Sequence, residues 1–198
     1  MGWMNNIKVA YKIVLLVLIA AAGMAVIGFT GYSFLNKDGQ DMDSMYSHKL
    51  QAIRILGEEV DSMRVIQVRA MQAIADPSRI PELKTGMAKE IKDYEANWAE
   101  YEKLGMAVPE AAEKIPETKA NWDRFKADMQ SVIATAETGN TKAALDNYNS
   151  KGKKDNADLR DRLSTLLKTA VKDADAINQQ NVVDNKAAIT SMAVKTGI

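Results

Sequence analysis

The chain has no cysteine among its 198 residues, which excludes a disulfide framework, a thiolate metal site and a cysteine nucleophile. It has one histidine, His48, so metal centres built on several imidazoles are excluded too. Only four prolines and three phenylalanines interrupt a composition rich in Ala, Lys, Glu and Leu, which reads as helix. No segment alternates apolar and polar residues over any length, so a sheet is not expected. The sequence also lacks a nucleophile–base pairing, a Gly-rich phosphate loop and any metal-ligand spacing. No catalysis and no cofactor are therefore expected within these residues.

Charge is missing from one long stretch. Between Lys12 and Lys37, "IVLLVLIAAAGMAVIGFTGYSFLN" carries none. Overall, 26 basic residues balance 26 acidic ones, yet residues 1–35 hold only Lys8 and Lys12 and no acid. Residues 36–187 hold 23 basic and 26 acidic residues. A mildly acidic body argues against a nucleic-acid binder, which needs a basic face to offset phosphates.

Ile13 to Leu35 is 23 residues long, about 34 Å as a helix against a hydrocarbon core of about 30 Å. A signal peptide's apolar region is shorter, roughly 7–15 residues. Small residues at Ala20, Ala21, Ala22 and Gly23 could serve as a cleavage site, so a cleaved leader is the alternative to a retained anchor. The length favours the anchor. Lys8 and Lys12 before the segment and Asp38, Asp41 and Asp43 after it place the N-terminus inside. Tyr11 and Tyr32 sit near its two ends, as interfacial aromatics do. The expected layout is a cytoplasmic start at 1–12, a transmembrane helix at 13–35 and an outer domain at 36–190. At 191–198 the chain approaches a second crossing that it stops short of, since "AAITSMAVKTGI" loses most charge and turns small and apolar.

The outer domain reads as four helices. Met42, Tyr46, Leu50, Ile53, Leu56, Val60, Met63, Ile66, Ala70 and Ile74 recur at the helical period, ending at "DPSRIP" with Pro77 and Pro81. A second helix, Pro81–Lys103, carries Met87, Ile91, Tyr94, Trp98 and Tyr101. A third carries Trp122, Phe125, Met129, Val132 and Ala136, and either Pro109 or Pro116 could occupy its first turn. "TGNTK" closes it, with Gly139 as the stop and Asn140 or Thr141 as the next N-cap. The fourth carries Leu159, Leu163, Leu166, Ala170, Ala174 and Ile177, and polar "NSKGKKDN" around Gly152 is its weak point. Steps of three and four suit helices packed near +20°. The expected fold is all-α, an up-down-up-down four-helix bundle continuing from the N-terminal transmembrane helix. Its predicted core includes Trp98, Trp122, Phe125, Leu163 and Leu166. Glu58–Glu59 and Lys153–Lys154 read as solvated faces, and His48 as an exposed residue near the membrane.

"WMNNIKVAYKI" (Trp3–Ile13), "MYSHKLQAIRILGEEVDSMRVIQVRAM" (Met45–Met71), "WAEYEKL" (Trp98–Leu104) and "VIATAETGNTKAAL" (Val132–Leu145) together resemble the sensory half of a methyl-accepting chemotaxis receptor. The likeness covers nearly the whole chain, as layout and weak helical motifs. It implies a chemoreceptor sensor region in the bacterial inner membrane, with its bundle outside the cytoplasm. That region would bind a small-molecule ligand or a binding protein, act as a homodimer and send a helix displacement inward. A chemotaxis kinase and adaptor would be reached through a cytoplasmic region absent here. The same module fronts histidine kinases and cyclic-dinucleotide enzymes; a structural or secreted bundle is the non-sensing alternative.

In the amino-acid receptors of that family, arginines on the first helix receive ligand carboxylates at the dimer interface. "RVIQVRAMQA" aligns Arg64 and Arg69 with the first two of these, while the third position holds Ala73. A five-residue step rotates about 140° around a helix, so Arg64 and Arg69 flank opposite shoulders of the stripe. One chain cannot easily clamp a small anion with both, but two chains around a two-fold axis could each supply one guanidinium fork. The plainer role is solvation or pairing with Asp61 or Glu59. Trp98, Tyr101, Trp122 and Phe125 could line a pocket for a planar ligand, though heptad spacing more often marks core.

Overall fold

A computed structural model describes residues 9–196. Lys8 and the rest of the expected cytoplasmic start before Val9 lie outside the described residues, as do 197–198 and the side chain of Tyr46. The described residues are almost wholly helical and contain no strand. Among the described residues are seven α-helices: α1 (Val9–Ser44), α2 (Gln51–Ala75), α3 (Ile80–Gly105), α4 (Pro109–Ala112), α5 (Ile115–Glu137), α6 (Thr141–Asn147) and α7 (Lys153–Thr196). Two π-helical turns, Met45–Leu50 and Tyr148–Gly152, join α1 to α2 and α6 to α7. The four long outer helices of the bundle are therefore α2, α3, α5 and the run from α6 into α7.

The punctuation follows side-chain chemistry. Asp76 accepts from the backbone N–H of Ser78 at 3.2 Å and caps the 3₁₀ turn Pro77–Arg79. Pro81 then sits in the first turn of α3, where its missing N–H costs nothing. Both candidate prolines start helices: Pro109 opens α4, and Pro116 lies in the first turn of α5. Gly139 has φ +79°, a left-handed position that favours glycine. Asn140 Oδ1 accepts from Ala143 N–H at 3.0 Å and caps α6.

The contacts divide the chain into two units, Met1–Ser44 with Ala176–Ile198, and Met45–Asp175. In the first, every side chain from Ile13 to Phe29 is exposed. Lys37 near the end of α1 pairs with Asp184 of α7, which also accepts from Gln180 at 2.7 Å. Among the described residues, one helix is long and apolar enough to cross a membrane, and its helical backbone runs from Tyr11 to Ala75.

The second unit holds the core. Ile55, Leu56, Met63, Ile66 and Ala70 of α2 are buried, with Leu83, Met87, Tyr94, Trp98 and Tyr101 of α3. From α5 come Trp122, Phe125, Met129 and Val132, and from α7 Leu159, Leu163 and Leu166. Polar pairs between neighbouring helices fix their antiparallel order. Arg69 of α2 meets Glu90 of α3 at 3.8 Å, and Glu58 accepts from Asn97 at 3.2 Å. Lys84, Glu95 and Glu102 of α3 pair with Glu137, Lys126 and Lys119 of α5. Arg124 of α5 lies 3.8 Å from Asp155 of α7, and Glu117 pairs with Arg162. In each set the numbers rise on one helix as they fall on the next.

The expected stripe on α2 is buried at Leu56, Met63, Ile66 and Ala70, and needs correction at single positions. Met42 and Leu50 are exposed, and Ile53, Val60 and Ile74 are only half-buried. Glu59 and Ala73 join Leu56, Met63, Ile66 and Ala70 on the buried line. Glu59 was expected on a solvated face, and the structure overturns this: it is 0% exposed. Its three-residue step from Leu56 and four-residue step to Met63 place it on the apolar face whatever its charge. The four-helix chain also tightens where weakness was expected, because a β-carbon on Gly152 would come 2.6 Å from Met129 Cε. Lys153 and Lys154 are exposed, as read from the sequence.

Candidate functional site

The two arginines of α2 have different surroundings. Arg64 is exposed and makes no ion pair among the described residues. Arg69 is half-buried and reaches across to α3, where its guanidinium lies against Gly86. A β-carbon there would stand 2.1 Å from Arg69 Nη1 and 2.5 Å from Cζ, so the bare backbone of Gly86 makes the seat. Arg69 Nη2 faces Glu90 at 3.8 Å, while its buried Nε–H has no acceptor. Within one chain, then, Arg69 is engaged with the neighbouring helix and Arg64 faces solvent. The groove beside Arg69, about 430 Å³, is lined by Glu58, Asp61, Glu90 and Asp93 with Ser62 and Asn97. Its walls are carboxylate-rich and suit a cation better than an anion.

Two smaller grooves lie between α3 and α5. One, about 320 Å³, is apolar, with Met87, Ala88, Ile91, Ile133 and Ala134 beneath Lys84. The other, about 240 Å³, exposes the edges of Trp98 and Trp122 between Glu95, Glu102, Lys119 and Asp123. Trp98 Nε1–H donates to Glu102 at 3.2 Å, and Lys126 stands 5.9 Å from the Trp122 ring centroid while pairing with Glu95 at 2.8 Å. The four aromatics weighed for a planar-ligand pocket are all buried, so their main role is the core.

That core contains a polar layer. Tyr94 of α3 stacks on Trp122 of α5 with centroids 3.5 Å apart and planes 6° from parallel. The hydroxyl of Tyr94 and Nε1–H of Trp122 are buried without partners, as are Asn121 Nδ2 of α5 and Asn156 Oδ1 of α7. Both carboxylate oxygens of Glu59 on α2 lack a hydrogen bond as well. Burial first, and the neighbouring Glu58 second, push the Glu59 carboxyl up to about 9. Burial raises the Tyr94 phenol well above its ordinary range, helped by Glu59 and then Asp123. Burial also pushes Tyr101 up to about 12. Lower in the α5–α7 seam, burial and the adjoining Asp155 lift Asp128 to about 6, against the pull of Lys151 and Arg124. The sequence reading missed this layer, since a Glu pair on a helix ordinarily marks a wet face. The 3-4 step through Leu56, Glu59 and Met63 was the signal that could have found it.

His48 is exposed, with Ser47 Oγ 2.8 Å from its Nδ1. No group of three or more His, Cys, Asp or Glu side chains suited to a metal is found among the described residues.

Comparison with known proteins identifies a family. Residues 6–184 fit the model of a family described as a four helix bundle sensory module for signal transduction. No curated protein and no solved structure matches the chain. The matched span covers most of the chain and all four helices of the bundle, and the chain belongs to this family of four-helix-bundle sensory modules.

Proposed function

We propose that this sensory module is the external half of a membrane chemoreceptor. It sits in a bacterial inner membrane with the bundle outside the cytoplasm, binds a small molecule or a binding protein, and works as a homodimer. The observation that carries the reading is the unbroken helical backbone from Tyr11 to Ala75. Its first part is apolar and exposed, as a lipid-facing segment is; its last part supplies Ile55, Leu56, Met63 and Ile66 to the bundle core. One element thus belongs to both the anchor and the sensing wall. A shift of about 1–2 Å along or around such a helix is an established switching motion. Ligand drives it only by favouring one of two bundle arrangements.

For the ligand, Arg64 is the stronger candidate of the two arginines. It is exposed, and a two-fold axis along α2 would set it near its counterpart in the second chain. Arg69 would act mainly by holding α3 through Glu90 and Gly86. The output passes to a chemotaxis kinase and adaptor through a cytoplasmic region outside these residues.

The test is a chimera of this chain with the cytoplasmic signalling half of a chemotaxis receptor, in cells lacking other receptors. The probes are the common amino acids and short mono- and dicarboxylates, and the readout is kinase activity. The expected result is a graded change with at least one probe, shifted at least tenfold in half-maximal concentration by Arg64→Ala. A chimera that inserts and folds but holds one output across the panel would contradict direct recognition of these small molecules and the role given to Arg64.

A further inference from the structure

The mid-bundle polar layer is unlike the rest of the core. Its acceptors and donors are present in numbers that could match, yet they are unjoined. Glu59 offers two carboxyl oxygens, and Tyr94 Oη–H, Trp122 Nε1–H and Asn121 Nδ2–H are unmatched donors. The cross-helix pairs Glu58–Asn97, Lys126–Glu95 and Arg124–Asp155 bring these residues to one level of the bundle. Glu59 and Tyr94 are both 0% exposed in this core, and an ionised Glu59 would raise the Tyr94 phenol further.

A fully buried carboxylate survives only beside a cation or several donors. The charged groups around the layer supply no such cation. On α2, Glu58 adds like charge and is held by Arg54 at 2.6 Å. On α3, Glu95 holds Lys126 of α5, which Asp123 also approaches at 3.5 Å. Arg124 of α5 is taken up by Asn121 and by Asp155 of α7. Each cation near this level is committed elsewhere. Glu59 in this packing is therefore an uncharged acid.

We propose that Glu59 is a proton-binding site that sets the packing of the bundle. With the proton bound, the layer stays as observed. When the carboxyl O–H bond breaks and the proton passes to solvent, the carboxylate draws Tyr94, Trp122 and Asn121 into hydrogen bonds with it. The helices that carry them repack around the new bonds. The bundle thus has two arrangements, selected by proton concentration, which is what a sensor needs from its ligand. The repacking itself does not depend on the topology proposed above; that the proton comes from outside the cytoplasm, so that the switch reports external alkalinity, rests on that reading.

Tryptophan emission reads the layer directly, because Trp122 is stacked on Tyr94. The measurement uses the full chain in lipid nanodiscs with Trp3→Phe, which leaves Trp98 and Trp122 as emitters. Between pH 5 and pH 10, emission should shift reversibly with a midpoint near 9 while the helical circular dichroism holds. Glu59→Gln, which keeps the shape and cannot ionise, should abolish the shift. Tyr94→Phe should retain a transition, excluding tyrosinate as its source. A flat wild-type titration would overturn the proposal, and so would a shift that persists in Glu59→Gln. Loss of helix at the same midpoint would overturn it too, making Glu59 a destabilised core position and not a switch. None of these outcomes bears on whether a chimera responds to amino acids or carboxylates, so the two readings fail separately.

Discussion

Arg69 lies across Gly86, its guanidinium occupying the space that a side chain at that position would fill. The contact joins α2 to α3 through the absence of an atom, and the nearby Glu90 supplies the charge. Gly86→Ala therefore sets two effects against each other. Alanine gains roughly 0.5–1 kcal/mol over glycine in a helix interior. The displaced arginine gives up a partly exposed ion pair worth at most about 1 kcal/mol. Because the obstructing atoms end a long side chain, the variant should stay within about 1 kcal/mol of wild type in urea unfolding. A loss beyond twice that would mean the guanidinium cannot swing aside.

The core phase of α7 is tested by one residue. Leu163 is 0% exposed, and Leu163→Ala should cost roughly 2–5 kcal/mol. Val171, two turns on and 41% exposed, is the control; Val171→Ala should cost under about half a kilocalorie per mole. Similar costs at the two sites would mean the buried face is wrongly assigned.

Glu59 makes stability pH-dependent in an unusual direction. Its carboxyl is raised from 4.5 to about 9 in the fold, so the folded state binds the proton more tightly than the unfolded chain. Stability is complete below about 4.5 and declines as pH rises towards 9, at up to about 1.4 kcal/mol per pH unit. Glu59→Met removes the titration and fills the site with an apolar chain. Its unfolding midpoint in urea should exceed wild type at pH 8 by an amount corresponding to a few kcal/mol, and by much less at pH 5. An equal difference at both pH values would contradict the buried-acid account.

Much of the fold was legible because apolar residues at 3-4 steps carry the helical phase openly. Met87, Tyr94, Trp98 and Tyr101 on α3, and Trp122 through Ala136 on α5, are buried where that pattern puts them. Gly139 and Asn140 announced their turn because one adopts positive φ and the other offers a capping oxygen. On α2 the pattern found Leu56, Met63, Ile66 and Ala70 but passed over Glu59 between them, and Val60 only borders the core. Hydrophobicity marks the face a residue prefers, while geometry decides the face it occupies. The seat of Arg69 was hidden for a related reason. It depends on a glycine of another helix, and no spacing within α2 reveals that.

The two-fold arrangement about α2 predicts its own crosslinks. Asp61 is exposed and Val65 half-buried on that helix. In the membrane-anchored chain, Asp61→Cys or Val65→Cys should form disulfide-linked dimers on mild oxidation, with no native cysteine to interfere. Ala127→Cys, exposed on α5, should not. Crosslinking at Ala127→Cys alone would move the interface to α5.

The central claim is that one helix is both anchor and sensing wall, which requires residues 13–35 to remain attached to the bundle. Intact-mass analysis of the protein from fractionated cells tests this most directly. The account predicts a membrane-bound species that retains Met1 or Gly2, with an outer domain open to protease added from outside. A soluble species beginning near Gly23 or Met24 would contradict it.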